Sequence, residues 1–198
     1  MYPLFESIKI EAGTAPHLSW HQERVNRSYP QLFGGKNPFL LEEILRIPEA
    51  VKEGLFKARF VYSDQEYYWE FHPYSPKKVK RLKLVEANEL DYSLKYQDRK
   101  ALKNLLEGKK KKTEVIILKN GFVTDSTYSN LIFRSGKSWY TSDTPLLEGT
   151  CRARLLAEKK IQSITIRKED LSEFESAKLI NAMVGIKESK EIPIFFKP

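Results

Sequence analysis

Two segments carry the side chains best suited to chemistry. Lys95 lies in Leu94-Lys95-Tyr96-Gln97-Asp98-Arg99, and Asp125 lies in the hydroxyl-rich stretch Val123-Thr124-Asp125-Ser126-Thr127-Tyr128-Ser129-Asn130-Leu131. A lysine amine attacks carbonyl carbons once it has lost its proton, and partial burial lowers its pKa toward that state. A carboxylate beside small hydroxyl residues can hold a protonated nitrogen. The two segments therefore predict amine–carbonyl chemistry, provided that the fold brings them together.

Pyridoxal phosphate is the cofactor whose requirements these residues meet. Its aldehyde condenses with a lysine amine, and its ring is the best electron sink when a carboxylate keeps the ring nitrogen protonated. Lys95 is the candidate for the first role and Asp125 for the second. A lysine and an aspartate at such a spacing also occur by chance, so the rest of the sequence has to support the assignment.

Composition is typical of a soluble globular protein. The 198 residues are 41% hydrophobic and 12% aromatic, enough for one large domain or two small ones. No apolar run approaches the roughly 20 residues of a membrane span, and the first residues do not form a signal peptide. A cytoplasmic location without membrane association is the expectation. The single cysteine, Cys151, fits a reducing compartment, and three histidines without ligand spacing predict no metal site.

The chain is basic, with a net charge of +8. Apart from Lys109-Lys110-Lys111-Lys112, the lysines are spread along the sequence. The run is interpreted as a solvated loop, a weak patch for polyanions, or part of a field that draws small anions toward a cleft. Charge alone does not choose among these three interpretations.

Strand and helix signals alternate in the first part of the chain. Strands are predicted at residues 3–10, 55–62 and 66–74, and helices at 18–27 and 40–46. Pro73, Pro76 and the pair Lys77-Lys78 mark a linker, because proline interrupts strand pairing. The predicted domains are a small α+β domain at 1–74 and a larger β-rich domain at 78–198 that carries the lysine.

The second part is richer in strands. A hairpin at 114–118 and 122–124 turns across Asn120-Gly121, and a second at 131–134 and 138–141 turns across Ser135-Gly136-Lys137. A loop at 144–149 then leads into a helix from Thr150 to Ala157. The remaining signals are a strand at 164–166, a helical stretch at 169–174 and an apolar stretch at 178–186.

Five motifs, in matching order over nearly the whole chain, resemble the class IV (fold-type IV) pyridoxal phosphate enzymes, which include aminotransferases and 4-amino-4-deoxychorismate lyase. The matching stretches are Phe5-Glu6-Ser7-Ile8, residues 21–28 with the His-x-x-Arg pattern, Lys95 with Arg99, residues 123–131, and Thr144 to Arg152 with the Thr-Pro-x-Leu-x-x-Gly-x-x-Arg pattern. The resemblance implies a two-domain fold, with a small α/β N-terminal domain and a β-rich pseudobarrel C-terminal domain. It also implies a homodimer.

The resemblance assigns roles residue by residue. Lys95 is the Schiff-base lysine, and Arg24, with its fork of donors, binds the cofactor phosphate. Asp125 stands where the family usually has Glu and faces the ring nitrogen, and Asp98 stands where Asn is common. The other expected cofactor residues are Ser129, Asn130, Gly149, Thr150 and Cys151, the last three at a helix start that favours an anion. The expected substrate residues are Arg99, Tyr128, Asn181, Ala182 and Met183.

Each assignment has a structural alternative. In these alternatives, Arg24 is an ordinary surface residue of a helix, Asp125 is a turn residue, Asn130 satisfies a strand end, and Cys151 is a small buried group. Arg99 could form a surface salt bridge instead of binding substrate. His17 and His21 are interpreted as structural, since this chemistry uses the lysine as its acid and base.

Reaction type is the least determined feature. Leu179-Ile180-Asn181-Ala182-Met183 resembles the corresponding stretch of lyases more than that of branched-chain aminotransferases. The expected activity is 4-amino-4-deoxychorismate lyase, which releases pyruvate and 4-aminobenzoate on the route to folate, from a small anionic amino substrate and with no nucleic-acid partner. The alternatives are an aminotransferase for D-amino or branched-chain amino acids, and a catalytically silent basic binding protein.

Overall fold

The computed structural model describes residues 3–194, and the chain forms two compact units. The first comprises Met1–Pro76 and Leu94–Asp98, and the second comprises Lys77–Ser93 and Arg99–Pro198. Helices and strands mix in both units, which confirms the α+β prediction.

The first unit is an antiparallel sheet with helices. Its strands, in the spatial order β1-β2-β3, are β1 (Leu4–Glu11), β2 (Leu55–Tyr62) and β3 (Tyr67–Pro73). Its helices are α1 (Leu18–Phe33), α2 (Leu41–Ile44) and a 3₁₀ turn at Glu49–Val51. Helix α1 extends past the predicted end at 27 and includes Pro30, with Tyr29 buried beside it.

Alternation along β1 explains what the first unit buries. Leu4, Ile8 and Ile10 lie on one face of the strand and are fully buried against the core. Glu6 lies on the same face and is also buried. A carboxylate on a buried strand face needs partners, because an unpaired buried charge is strongly destabilising.

Residues 94–98 join the first unit instead of the second. The backbone N–H of Phe5 donates to the Lys95 carbonyl at 3.1 Å, and that of Gln97 donates to the Pro3 carbonyl at 2.8 Å. Leu94 packs in the core with β1. The sequence-based domains placed Lys95 in the second domain because it follows the linker in the chain. These contacts place it beside β1.

The second unit contains two sheets. The first has the spatial order β4-β5-β6, with β4 (Arg81–Glu86) parallel to β5 (Thr113–Lys119) and β6 (Phe122–Val123) antiparallel to β5. The second sheet has the order β11-β10-β7-β8-β9 and consists of β7 (Asn130–Ser135), β8 (Ser138–Ser142), β9 (Gln162–Ile164), β10 (Ser176–Ile180) and β11 (Ile192–Pro193). Its helices are α3 (Lys100–Asn104), α4 (Thr150–Ala157) and a 3₁₀ turn at Glu169–Glu173.

Local turn chemistry accounts for the hairpin between β5 and β6. Asn120 and Gly121 both have positive φ, 50° and 80°, as the tight turn between twisted strands requires. The two sheets share one apolar core, to which Ile116, Leu131 and Leu179 contribute. Within residues 3–194, no helix is both long and apolar enough to span a bilayer.

Candidate functional site

Lys95 lies over an aromatic ring. Its Nζ is 4.8 Å from the centre of the Phe5 ring, and the guanidinium carbon of Arg59 is 4.9 Å from the same centre. The side chain of Lys95 is half-buried, whereas Phe5 is buried. The negative face of a ring attracts an ammonium, so Phe5 helps to determine where the amine of Lys95 lies.

A buried ionic cluster lies in the same unit and joins β1 to α1. Arg24 Nε donates to Glu6 Oε1 at 2.8 Å, and Arg24 Nη2 donates to Glu6 Oε2. His21 Nδ1 lies 2.6 Å from Glu6 Oε2. All three residues are at most 4% exposed. One carboxylate therefore engages a guanidinium edge and an imidazole, an arrangement that holds Arg24 in a single orientation.

The charges in this cluster follow from its partners. Burial alone would raise the pKa of Glu6, but the Arg24 guanidinium and the His21 hydrogen bond outweigh it and lower that pKa to about 2. Burial lowers the pKa of His21, against the opposing pull of Glu6. A neutral His21 that faces an ionised carboxylate must carry its proton on Nδ1, which leaves Nε2 as an acceptor.

Sequence reasoning did not assign a role to Glu6, although a signal was present. Glu6 interrupts the apolar face of an alternating strand, between Leu4 and Ile8. In α1, His21 and Arg24 lie on the buried stripe with Val25. Two inward-facing positions of opposite charge on successive elements predict a buried pair.

A second polar cluster surrounds Asp125 in the other unit. Asn130 Nδ2 donates to Asp125 Oδ1 at 2.7 Å, and the backbone N–H of Leu147 donates to Asp125 Oδ2 at 2.9 Å. Asn130 Nδ2 also donates to the Leu147 carbonyl at 2.9 Å. Asp125 is 5% exposed, so these hydrogen bonds replace the water that a surface carboxylate would have.

Burial dominates the electrostatics of Asp125. It raises the pKa of this carboxyl to about 6, and the hydrogen bonds from Leu147 and Asn130 and the charge of Arg152 offset only part of the effect. Arg152 Nη2 donates to the Ser142 carbonyl at 2.8 Å, while its buried Nε has no hydrogen-bond partner among residues 3–194. A cationic group that faced Asp125 would lower its pKa and favour the carboxylate.

Ser129 and Asn181 are hydrogen-bonded to each other. Asn181 Nδ2 donates to Ser129 Oγ at 2.9 Å, and Asn181 Oδ1 accepts from the backbone N–H groups of Met183 and Val184 at 2.8 and 3.0 Å. The Asn181 amide thus closes the turn that contains Ala182 and Met183. Because Ser129 Oγ accepts from Asn181, its own proton is directed to another acceptor.

The start of helix α4 contains the other expected phosphate residues. Gly149 is the residue before the helix, and Thr150 and Cys151 are its first two residues, both buried. The Cys151 side chain packs with Ile132 and Leu155, and burial raises the pKa of its thiol. Of Cys151, only the backbone N–H suits an anion.

Arg99 and Tyr128 lie along the 126–129 loop. Arg99 Nη2 donates to the Thr127 carbonyl, and Glu114 Oε1 accepts from the backbone N–H and the hydroxyl of Thr127 at 3.2 and 2.8 Å. The Lys77 ammonium is 4.4 Å from the centre of the Tyr128 ring. These contacts position the loop, and the substrate role of both residues stays a prediction.

The predicted site residues fall into two groups. Lys95 and Arg24 belong to the first unit, and the second unit contains Asp125, Ser129, Asn130, Gly149, Thr150, Cys151, Arg99, Tyr128, Asn181, Ala182 and Met183. No group of three or more His, Cys, Asp or Glu residues in the described part of the chain is arranged to hold a metal.

The family follows from a match over most of the chain. Residues 3–192 match the amino-transferase class IV family model, and the protein belongs to this family. This confirms the predicted family and its mixed α/β fold. It also confirms that the protein is an enzyme whose expected cofactor is pyridoxal phosphate.

Three proteins are similar to this chain over most of its length. An uncharacterised protein of Haemophilus influenzae (strain ATCC 51907 / DSM 11121 / KW20 / Rd) is 40% identical over 188 residues, which are 94% of this chain and 100% of the relative. A crystal structure of a candidate 4-amino-4-deoxychorismate lyase from Haemophilus somnus 129pt is 42% identical, with a TM-score of 0.89 over 94% of this chain and 98% of that chain. A hypothetical aminotransferase from Mycobacterium tuberculosis, in its PLP-bound form, shares the fold at 15% identity, with a TM-score of 0.77 over 96% and 80% of the two chains.

The side chains present fit the expected cofactor. A buried arginine held by a carboxylate suits a phosphate, because charge-assisted hydrogen bonds from a fixed fork bind it with defined geometry. The pKa of buried Asp125 stays raised despite the charge of Arg152, and a protonated ring nitrogen would add a cation that favours the carboxylate.

Proposed function

We propose that this protein is a 4-amino-4-deoxychorismate lyase, which converts its substrate into 4-aminobenzoate and pyruvate in the cytoplasm, as a homodimer. The observation that carries the proposal is the 42% identity, over nearly the whole of both chains, to the structure from Haemophilus somnus 129pt. The Asn181-Ala182-Met183 stretch and the net charge of +8, which suits a substrate with two carboxylates, add support.

The roles proposed for individual residues follow the chemistry of each side chain. Lys95 bonds to the cofactor aldehyde, Arg24 binds the phosphate with the start of α4, and Asp125 faces the ring nitrogen. When bound, pyridoxal phosphate supplies an electron sink that stabilises negative charge at the substrate carbon that bears the amine. Arg99 and Tyr128 are proposed to contact the substrate.

Lys95 is proposed to move the proton. Its Nζ, released as a free amine, takes the proton from the amine-bearing ring carbon and returns it to the departing three-carbon group, which leaves as pyruvate. The ring that remains is aromatic 4-aminobenzoate. The two products contain all the atoms of the substrate, so neither water nor a redox partner is consumed.

One preparation tests the proposal. Purified protein, reconstituted with pyridoxal phosphate, is assayed for 4-aminobenzoate release from aminodeoxychorismate and for amino transfer from D-alanine and branched-chain amino acids to 2-oxoglutarate. We expect release to be faster. Lys95→Ala should abolish it, and the exposed Lys78→Ala should not. Robust amino transfer without 4-aminobenzoate would identify an aminotransferase instead.

A further inference from the structure

Asn130 occupies space that a side chain at residue 149 would need. A Cβ atom built on Gly149 would lie 1.8 Å from Asn130 Oδ1 and 3.0 Å from its Cγ, far inside van der Waals contact. The backbone of Gly149, at φ −69° and ψ 138°, is open to any residue. Contact with Asn130, and not backbone conformation, therefore demands glycine here.

The orientation of the Asn130 amide is determined by its partners. Both of its donor contacts, Asp125 Oδ1 at 2.7 Å and the Leu147 carbonyl at 2.9 Å, are to oxygens that only accept. The amide nitrogen must face them, which directs Oδ1 toward Gly149. The Leu147 N–H closes the ring of contacts on Asp125 Oδ2.

We propose that Asn130 is a positioning residue for Asp125, and that Gly149 provides the space in which the Asn130 amide is held. The pair connects the loop before α4 to the carboxylate and fixes the direction of Asp125 Oδ1. This inference rests on the proposed role of Asp125 toward the cofactor ring. It assigns Gly149 a steric role in addition to the expected phosphate contact.

The geometry predicts coupling between positions 130 and 149. Gly149→Ala should lower the melting temperature of the cofactor-free protein, because the new methyl group displaces the Asn130 amide. In Asn130→Ala, the same change at residue 149 should have a much smaller effect. A double-mutant cycle isolates this coupling. Gly185→Ala is the matched control, since its φ is also not positive and its new Cβ meets the end of the flexible Glu188 side chain.

A second readout concerns the carboxylate itself. The Asn130 amide and the backbone of Leu146 and Leu147 donate to Asp125, and Arg152 is the charged side chain that acts on it. Asn130→Leu keeps the approximate shape of the side chain but removes both donors and adds no charge. The infrared carboxyl band of Asp125, identified by its absence in Asp125→Asn, should then persist to higher pH than in the wild type. A merely structural role for Asn130 would leave this titration unchanged.

Both measurements use the full chain without cofactor, so their outcome does not depend on the reaction. Additive effects of the changes at 130 and 149, or a titration of Asp125 that is the same with Leu at 130, would overturn the inference. Pyridoxal phosphate titration gives the functional consequence, which is weaker binding for Asn130→Leu than for the wild type. Normal coupling with no cofactor binding in the wild type would instead reject the proposed function.

Discussion

Glu6 and Arg24 form a buried, two-point ion pair between the first strand and the first helix of the chain. The carboxylate also lies 2.6 Å from His21 Nδ1, so Glu6 holds two side chains at once. Arg24 is the residue proposed to bind the phosphate. Its orientation is therefore set by a residue that does not itself need to contact the cofactor.

Glu6→Gln should destabilise the protein by about 3–5 kcal/mol, because it leaves a buried guanidinium without its counter-charge. Urea unfolding at neutral pH measures the change. Glu11→Gln is the matched control on the same strand. Its ion pair with Lys9 is at the surface, so a loss of at most about 1 kcal/mol is expected. Equal losses of unfolding free energy in the two variants would show that the buried ion pair stabilises the protein no more than the surface pair does.

Acid should have the same effect as this substitution. The pKa of Glu6 is lowered to about 2 in the folded protein, from 4.5. A carboxyl group whose pKa is lower in the folded than in the unfolded protein stabilises the fold at pH values above its unfolded pKa. That contribution is lost as the pH falls toward the folded pKa. The difference in unfolding free energy between wild type and Glu6→Gln should therefore shrink between pH 4.5 and pH 2. A constant difference over that window would contradict this account.

Sequence patterns predicted the local elements well because their causes are local. The limits of β2 and α4 match the prediction, and the positive φ angles of Asn120 and Gly121 follow from turn chemistry. Strand β4 was missed, since its partner β5 is parallel and more than twenty residues away, beyond any hairpin signal. The strand predicted at 164–166 forms at Gln162–Ile164, and the helical signal at 169–174 becomes a 3₁₀ turn.

The site was less predictable, because its contacts join distant segments. Motif matching identified Lys95, Arg24 and Asp125 as candidates, but not the partners Glu6 and Leu147 that hold two of them. Glu6 is 18 positions from Arg24, and Leu147 is 22 positions from Asp125. Such pairings depend on how strands and helices pack, which local sequence patterns do not reveal.

Lys95 should carry the cofactor. Borohydride reduction of the reconstituted protein, followed by peptide mapping, should place the pyridoxyl group on the peptide that contains Lys95. Lys95 is half-buried over Phe5, whereas Lys110, Lys111 and Lys112 are exposed. Label on any other lysine would reject the assignment.

Phosphate binding provides a separate test of Arg24. Arg24→Lys keeps the charge but not the fork of donors, so pyridoxal phosphate should bind about ten- to a hundredfold more weakly, the value of one charge-assisted contact. Arg27→Lys, exposed on the same helix, should bind normally. The affinity of pyridoxal without phosphate should change little in either variant. A matching loss for pyridoxal would show that Arg24 acts only on the fold.

Asp125 should give the cofactor-free protein a pH dependence of opposite sign to that of Glu6. The pKa of Asp125 is raised by burial to about 6, from 3.8. Because the folded protein binds the Asp125 proton more tightly than the unfolded protein does, low pH favours the fold. This advantage is lost as the pH rises through the folded pKa. At roughly 1.4 kcal/mol per pKa unit, this pKa difference contributes about 3 kcal/mol to the free energy of unfolding.

The difference in unfolding free energy between wild type and Asp125→Asn should therefore fall by up to this much from pH 4 to pH 7. Bound pyridoxal phosphate should suppress the loss, because a protonated ring nitrogen stabilises the carboxylate. Asp91→Asn is the control, since Ser93 lowers the pKa of this exposed carboxyl and the slope should reverse. A pH dependence of the unfolding free energy that bound cofactor leaves unchanged would show that Asp125 does not face the ring nitrogen.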